Sequence, residues 1–158
     1  THEFKNLENH LKGASGKGYI EALPDTRVTH DDKLIVGENF FPIAGLGGVV
    51  AYKVKIKSPG KYYVWTRAYS SGPEDNGLHV GVNETWPQSG QRIQLCKGKH
   101  KWTWTSAQRV PENHCGEPKT IFLNFPHRGE YIINFSMRED GFEMDKFILT
   151  KNKNYEPK

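Results

Sequence analysis

The stretch that decides the fold is Val50-Ala51-Tyr52-Lys53-Val54-Lys55-Ile56, in which apolar and polar residues alternate. Successive side chains of a β-strand point to opposite faces of the sheet. The alternate apolar side chains therefore share one face, and the lysines lie on the other. A strand of this kind is typical of an antiparallel sheet with one face buried and the other in water.

Strand patterns of this type recur along the chain, at intervals of about ten to fifteen residues and with turn residues between them. Ser58-Pro59-Gly60 turns the chain into a second strand, which runs antiparallel to the first if the turn is a tight hairpin. No apolar 3.6-residue period persists for three turns, so we expect few helices. Residues 26–48 read as a long loop. The predicted strands are 4–8, 19–23, 50–56, 62–69, 78–82, 101–109, 120–125, 130–137 and 143–150.

The composition agrees with an all-β protein. The 158 residues suit one domain with one hydrophobic core, spanning 1–158. Sixteen Gly and nine Pro point to many turns. Four Trp, seven Tyr and eight Phe are more than a small core needs, so we expect some rings at a surface. We predict an antiparallel β-sandwich, or jelly roll.

The charge pattern argues against nucleic acid and membrane partners. The net charge of +4 is only mildly basic, and the lysines are scattered rather than gathered with Arg and exposed aromatic rings. A preference for a weakly anionic glycan stays open. No apolar run approaches the roughly 18 residues that span a bilayer.

The cysteine count suggests an exported protein. Cys96 and Cys115 would close a loop of about 20 residues, and a disulfide there stabilises by roughly 3 kcal/mol on the chain-entropy model. Two free thiols are the alternative. Since disulfides persist in oxidising compartments, we favour the disulfide and a secreted, extracellular protein. The chain lacks the CxxC and paired Cys or His spacings that are typical of zinc sites.

Several stretches resemble family-6 and family-35 carbohydrate-binding modules. Residues 58–67 (Ser-Pro-Gly-Lys-Tyr-Tyr-Val-Trp-Thr-Arg) are similar to one of their strands, and residues 75–83 to the strand and turn that follow. Residues 101–104 (Lys-Trp-Thr-Trp) resemble their tryptophan-bearing strand, and 140–148 their closing strand. Asn6-Leu7-Glu8 lies where those families carry Glu-x-Glu. The resemblance implies a galactose-binding-like β-sandwich that is monomeric and attached to a polysaccharide-degrading enzyme.

The resemblance also implies a structural calcium ion. It places Glu8 and Asp145 together, where the first and last strands meet at one sheet edge, and carboxylates are preferred calcium ligands. Asn6 replaces the first acidic residue of the family pattern, which weakens the site. The alternative is that Glu8 is exposed and Asp145 hydrogen-bonds a turn.

Aromatic rings provide the first half of a predicted sugar site, because the C–H face of a pyranose stacks on Trp. Trp86 lies in a polar loop, with a ring folded back onto the core as the alternative. Trp102 resembles the stacking Trp of family-6 modules, and Trp104 is the better core candidate. The strand face with Trp65 and Arg67 is either a glycan platform or covered by the long N-terminal loop, with Arg67 paired to one of its acids; we favour the covered arrangement.

Polar loops provide the second half of the predicted sugar site, because hydroxyl groups need donors and acceptors. Arg138, Glu139 and Asp140 lie in a loop where family-6 modules present a polar ligand. The alternative is an ordinary Asp-Gly turn beside a surface ion pair. Neighbouring loops add Asp75 and Asn76, and also Asp32, for which an ordinary polar loop residue is the favoured alternative.

Catalytic motifs are not found in the sequence: it contains no Gly-x-Ser-x-Gly, Walker loop or His-Glu-x-x-His. We therefore predict a non-catalytic module that holds an attached enzyme on a polysaccharide. An agar-type red-algal galactan is the favoured ligand, with xylan, mannan and other galactose-containing glycans open. A small jelly-roll polysaccharide lyase and a protein-interaction sandwich are the alternatives.

Overall fold

The computed structural model describes residues 2–7 and 13–158, which form two antiparallel sheets. In the first sheet the strand order is β1-β2-β10-β4-β7, with β8 also paired to β4; in the second it is β3-β9-β5-β6. The predicted β-sandwich is confirmed. The strands in chain order are β1 (Glu3–Leu7), β2 (Tyr19–Leu23), β3 (Val49–Ile56), β4 (Gly60–Tyr69), β5 (Gly77–Val82), β6 (Ile93–Gln94), β7 (Trp102–Thr105), β8 (Phe122–Phe125), β9 (Gly129–Met137) and β10 (Glu143–Thr150).

The alternation in β3 has the predicted consequence. Its lysines are exposed, while Val50, Tyr52 and Val54 pack against the core and Ile56 is buried. The inner faces of both sheets supply the fully buried core residues, since period-2 alternation places every second side chain of each strand inside. The largest apolar side chains buried there are Phe125, Phe135, Phe142, Leu78, Ile93, Ile121, Leu123, Ile133, Met137 and Met144.

The predicted hairpin of β3 with β4 is wrong. β3 pairs along its whole length with β9, from Val49↔Ser136 to Ile56↔Gly129, whereas β4 pairs with β10 in the other sheet. The largely exposed turn at 58–60 carries the chain from one sheet to the other instead of folding it back alongside itself. Both strands have one apolar face, and placing them in opposite sheets lets those faces meet in the core.

Strand positions follow the sequence closely, with two exceptions. The predicted strand at 101–109 is shorter, and only Trp102–Thr105 form β7. The two-residue strand β6 was missed, because two residues are too few to show a period. A 3₁₀ helix spans Gln88–Gly90. The described residues include no helix with the length and apolar character needed to cross a membrane.

The long loop 26–48 covers the outer face of the second sheet. Phe41 is buried, its N–H donates to the Arg138 carbonyl (2.8 Å), and the Gly45 N–H donates to Ser136 Oγ (2.9 Å). His79, on the outer face of β5, lies beneath the loop with Nε2 3.0 Å from the Phe41 carbonyl. Burial lowers the pKa of His79 to about 4, so its ring is neutral at physiological pH.

The predicted disulfide is confirmed. Cys96 and Cys115 are bonded, with their Cα atoms 5.5 Å apart. The bond joins the segment after β6 to the segment before β8. It therefore ties the edge of the second sheet to chain that leads back into the first sheet.

We expect the double substitution Cys96→Ser/Cys115→Ser to lower the free energy of unfolding by about 3 kcal/mol, because the 19-residue separation sets the lost loop constraint. Urea unfolding of both proteins measures this difference. A reductant should produce a similar loss in the unsubstituted protein and none in the variant. An unchanged unfolding midpoint in the variant would contradict a stabilising role for the bond.

Candidate functional site

The outer face of the six-stranded sheet carries a patch of aromatic and charged side chains. In β4, Val64 and Ala68 are fully buried in the core, so Trp65, Arg67 and Tyr69 point to the opposite face. Antiparallel pairing sets Arg67 opposite Trp104 and Tyr69 opposite Trp102 in β7, and places both tryptophans on this same face.

Trp102 lies inside an aromatic cluster at one side of this patch. Tyr19 and Tyr69 meet its ring edge-on, with centroids 5.3 and 5.5 Å away, and the Arg67 guanidinium lies 5.5 Å from the ring centroid. Gly13 lies against the indole edge, where an added Cβ would be 3.4 Å from Cδ1. These neighbours contact the ring on several sides but leave it partly exposed, so the stacking role of Trp102 stays a prediction.

Arg67 and Asp145 form an ion pair beside this cluster. Arg67 Nη1 lies 2.5 Å from Asp145 Oδ2, and the Asp145 side chain has no exposed surface. Ser15 donates to Asp145 Oδ1 from both its N–H and its hydroxyl, each at 2.8 Å, and Arg67 also donates to the Gly13 carbonyl. This part of the face is therefore covered, as favoured from the sequence. The acid that pairs with Arg67 comes from β10 and not from the loop.

The residues around Asp145 do not fit a calcium ion, because a guanidinium and Ser15 already occupy both carboxylate oxygens. Glu8, the other predicted ligand, lies outside the described residues, so the predicted pair stays a prediction. Within 2–7 and 13–158, no three or more His, Cys, Asp or Glu side chains are grouped so that they could hold a metal ion.

A cleft of about 420 Å³ opens on the other side of the patch, next to the disulfide. Trp65 and Trp104 contribute its aromatic surface. The Trp104 indole N–H donates to the Lys158 carbonyl (3.1 Å), which fixes the orientation of the ring. Further lining residues come from β6, the disulfide loop and the C-terminal segment: Gln94, Cys96, Ser106, Cys115, Glu117 and Glu156.

Two buried polar atoms of cleft residues have no hydrogen-bond partner in the described part of the chain. They are Trp65 Nε1, a donor, and Gln94 Oε1, an acceptor. Gln94 Nε2 donates to Asn76 Oδ1 at 2.7 Å, so the amide is held in one orientation. Leaving a buried donor or acceptor unpaired costs about 1–3 kcal/mol, and both residues belong to the lining of the cleft.

The polar loop predicted to bind sugar is buried. Arg138, Glu139 and Asp140 are 4%, 6% and 0% exposed. Arg138 pairs with Glu139 at 2.8 Å, and Asp140 accepts from the N–H (2.6 Å) and hydroxyl (2.7 Å) of Thr26. These side chains tie the long loop to the sandwich. The loop is therefore buried in this structure and does not form the exposed polar surface that the sequence predicted.

Asp75 and Asn76 are likewise buried. Asp75 accepts from the Ser70 hydroxyl (2.8 Å) and the Ser71 N–H (2.9 Å), which shapes the turn after β4. The Asn76 N–H donates to Glu139, and its side chain orients Gln94. Neither side chain faces solvent, so the structure assigns both to folding rather than to direct contact with a ligand.

Asp32 is exposed, but it lies in the long loop and does not line the cleft. Its carboxylate accepts from the N–H groups of Thr29 (2.7 Å) and Val28 (3.0 Å). The bond from Thr29 is the main reason that the pKa of Asp32 is lowered. Asp32 thus stabilises its own loop, which agrees with the alternative of an ordinary polar loop residue.

Trp86 is clamped between two glycines on the opposite side of the sandwich. A Cβ added to Gly81 would lie 2.8 Å from its Cε3, and one added to Gly45 would lie 2.5 Å from its Nε1. The ring thus packs back against β5 and the long loop. The folded-back alternative is correct, although the ring covers the outer face of the second sheet and not the core.

A group of acidic side chains lies near the buried loop 138–140. Glu143 is 6% exposed, and its Oε2 has no partner among the described residues. Burial, followed by the charges of Asp75, Glu21 and Asp25, raises the pKa of Glu143 to about 9. Burial and the charge of Asp140 raise the pKa of Asp25 to about 6. Glu143 therefore carries a proton at neutral pH.

We expect Glu143→Gln to stabilise the protein increasingly as the pH rises. The pKa of Glu143 is higher in the folded state than its usual 4.5, so its contribution to stability is complete below 4.5 and is lost as the pH rises towards 9. Glutamine resembles the protonated acid and removes this loss, which we place at no less than about 1.4 kcal/mol at pH 8. Chemical denaturation at pH 5 and pH 8 measures the difference.

The matched control is Glu130→Gln, on exposed β9 surface, where we expect little change at either pH. A stability difference for Glu143→Gln that is the same at both pH values would contradict the raised pKa.

The sequence signal for the cleft was the alternation in β4, which predicted that Trp65 and Arg67 share a face. On that face Arg67 is held by the contacts with Asp145 and the loop 13–15, whereas Trp65, itself 7% exposed, lines the cleft beside Trp104. Gln94 gave no signal, because its position depends on the two-residue strand β6.

Comparison with known proteins identifies the fold. No protein-family model matches the chain. A curated relative, Uncharacterized protein P23 of Formosa agariphila, is 58% identical over 149 residues, which are 94% of this chain and 36% of the relative. The chain thus spans about a third of that relative's length.

Three solved structures share the architecture at low sequence identity. A CBM35 from Paenibacillus barcinonensis superimposes with a TM-score of 0.60 (14% identity, 96% of this chain and 92% of that one). A family 35 carbohydrate binding module from an environmental isolate gives 0.56 (14%, 96% and 89%). A Paenibacillus xanthan lyase gives 0.55 (12%, 96% and 12%). The chain therefore has the β-sandwich fold of the family-35 carbohydrate-binding modules.

Proposed function

We propose that the protein binds carbohydrate in the cleft at Trp65 and Trp104. The observation that carries the proposal is the combination of aromatic surface with a buried donor and a buried acceptor that lack protein partners. A pyranose presents an apolar C–H face together with hydroxyl groups that both donate and accept. The cleft offers a partner for each of these features.

The architecture supports the proposal at a coarser level. Two solved structures that match this chain over 92% and 89% of their own length are carbohydrate-binding modules. Because their identity to this chain is 14%, they support the fold, and the site must be argued from the residues of this chain. The cleft provides that argument.

The ligand is proposed to be a polysaccharide, with an agar-type galactan favoured. The cleft combines Lys97 with Glu117 and Glu156 at its rim, so its charge is mixed and suits an uncharged sugar ring. An open cleft on a sheet face also admits a chain that continues in both directions. Xylan and mannan remain in the set of polysaccharides to be tested.

The biological role is proposed to be the attachment of an enzyme to this polysaccharide outside the cell. The disulfide is typical of oxidising compartments. The sandwich corresponds to 12% of the xanthan lyase chain, so this architecture occurs as a small part of a larger enzyme. The protein itself acts by binding and releases no product.

We expect Trp104→Ala to weaken binding to the retained polysaccharide about fivefold, which corresponds to about 1 kcal/mol for a lost stacking contact. Affinity electrophoresis against a panel of agarose, xylan, mannan and galactan measures the change. Trp86→Ala is the matched control, because it removes the same ring from the opposite side of the sandwich. Thermal unfolding must first show that both variants are folded.

Retention that is lost in Trp86→Ala and kept in Trp104→Ala would place the site elsewhere. The same panel is examined for products, since a lyase would generate unsaturated ends that absorb in the ultraviolet. Absence of retention on every polysaccharide would overturn carbohydrate binding and favour a protein-interaction sandwich.

A further inference from the structure

Three chain segments meet at one end of the sandwich. The turn 57–59 connects β3 to β4, the turn 126–128 connects β8 to β9, and residues 151–153 follow β10. Strand pairing places Gly60 opposite Phe125. The Lys151 ammonium donates to the Pro59 carbonyl (2.7 Å) and to Ser58 Oγ (3.0 Å). These contacts join the segments into a single surface.

This surface, which we call the basic end, carries five exposed cationic side chains. Two of them are held in place. Lys151 is fixed by its two hydrogen bonds to the 58–60 turn, and Lys61 lies over the Phe122 ring, with Nζ 3.9 Å from the centroid. A side chain that is already ordered loses less conformational entropy when it binds. The five residues are Lys57, Lys61, Arg128, Lys151 and Lys153.

The charge of the basic end is not neutralised within the described residues. None of its five cations forms an ion pair there, whereas Arg27, Arg67 and Arg138 each pair with a carboxylate. The nearest acid in the strand register is Glu130, which lies opposite Lys55. The buried acids Asp25, Asp140 and Glu143 lie near the long loop instead, so this end has a positive field of its own.

An open groove of about 620 Å³ runs across the basic end between two prolines. Lys61 and Asn124 supply its polar groups, and both are exposed. Its lining residues are Pro59, Gly60, Lys61, Asn124, Phe125 and Pro126. The groove can therefore take an extended chain whose charged groups meet Lys61 and its neighbours.

We propose that the basic end binds the anionic groups of a polysaccharide, which are sulfate esters or uronate carboxylates. This inference rests on the proposed function, because it extends one glycan from the cleft to a second contact. Gly60 and Trp65 are five residues apart in β4, or about 17 Å at the rise of a strand. A neutral sugar ring in the cleft and an anionic group farther along the same chain can thus be bound together.

The aromatic rings of the basic end favour a glycan over a nucleic acid. Tyr62 and Tyr131 meet Phe125 edge-on, at 5.3 and 4.8 Å, and Lys61 covers Phe122. Single-stranded nucleic acids are bound largely by stacking of bases on exposed aromatic faces. Rings that are occupied in this way do not offer such faces.

The experiment compares affinity for a sulfated galactan, polygalacturonate and agarose at low and high salt. We expect one or both anionic polymers to bind more tightly at low salt and to weaken as salt screens the charges. Lys61→Gln/Lys151→Gln should lower affinity for the anionic polymer about three- to tenfold and leave agarose binding unchanged. The sulfated and uronate polymers distinguish the two sources of negative charge.

The matched control is Lys17→Gln/Lys33→Gln, which removes the same charge from exposed positions away from the basic end. A second variant, Lys57→Gln/Arg128→Gln, changes only exposed turn residues and should reproduce the loss if Lys61→Gln/Lys151→Gln fails to fold. An equal loss in the control and test variants, or equal affinity for anionic polymers and agarose at low salt, would overturn the proposal.

Two further outcomes separate this inference from the function on which it rests. Trp104→Ala should weaken agarose binding about fivefold and keep the salt-dependent part of binding to the anionic polymer. Double-stranded DNA bound with the same affinity and salt dependence as the anionic polysaccharide would overturn recognition of a glycan. If agarose is retained but the lysine variants have no effect, anion binding at the basic end is contradicted while carbohydrate binding in the cleft is not.

Discussion

The division of β4 between two faces is the constraint on which the rest of the structure depends. One set of its side chains, including Val64 and Ala68, is fully buried in the core. The other set, including Trp65 and Arg67, faces outward beside the tryptophans of the neighbouring strand β7 and near the loop 13–15. Burial of the inner set fixes the register of β4 against β10, and this register decides which outer side chains are neighbours.

The outer face of β4 is used in two different ways. At Arg67 the covered half is held by an ion pair with Asp145 and by hydrogen bonds to Ser15 and Gly13. Farther along β4, Trp65 is 7% exposed and lines the cleft together with Trp104. The ion pair keeps the loop in place over one half of the face, so only the other half is left to meet a ligand.

The local sequence pattern was sufficient to predict where the strands lie, but it did not predict which strands pair with each other. The alternation at 50–56 correctly predicted which side chains of β3 face the core. It could not show that the turn at 58–60 crosses to the other sheet, because a hairpin and a crossover need the same turn residues. The disulfide could be predicted from the presence of two cysteines, whereas β6 was too short to detect.

Site prediction failed where polar residues turned out to be structural. Arg138, Glu139 and Asp140 are as polar as a sugar-binding loop, but their hydrogen bonds go to Thr26, Asn76 and each other. Sequence gives the chemistry of a side chain and not its burial, which here depends on where the long loop 26–48 lies. The contribution of Gln94 to the cleft likewise depends on long-range packing.

The four tryptophans differ in their surroundings, and this gives the protein an intrinsic optical reporter. Trp86 is clamped between glycines, Trp102 lies beside a guanidinium, and Trp65 and Trp104 line the cleft. Indole emission depends on local polarity. A sugar that displaces water from the cleft would therefore alter the fluorescence of one pair of rings, while the light from Trp86 and Trp102 would serve as a constant internal reference.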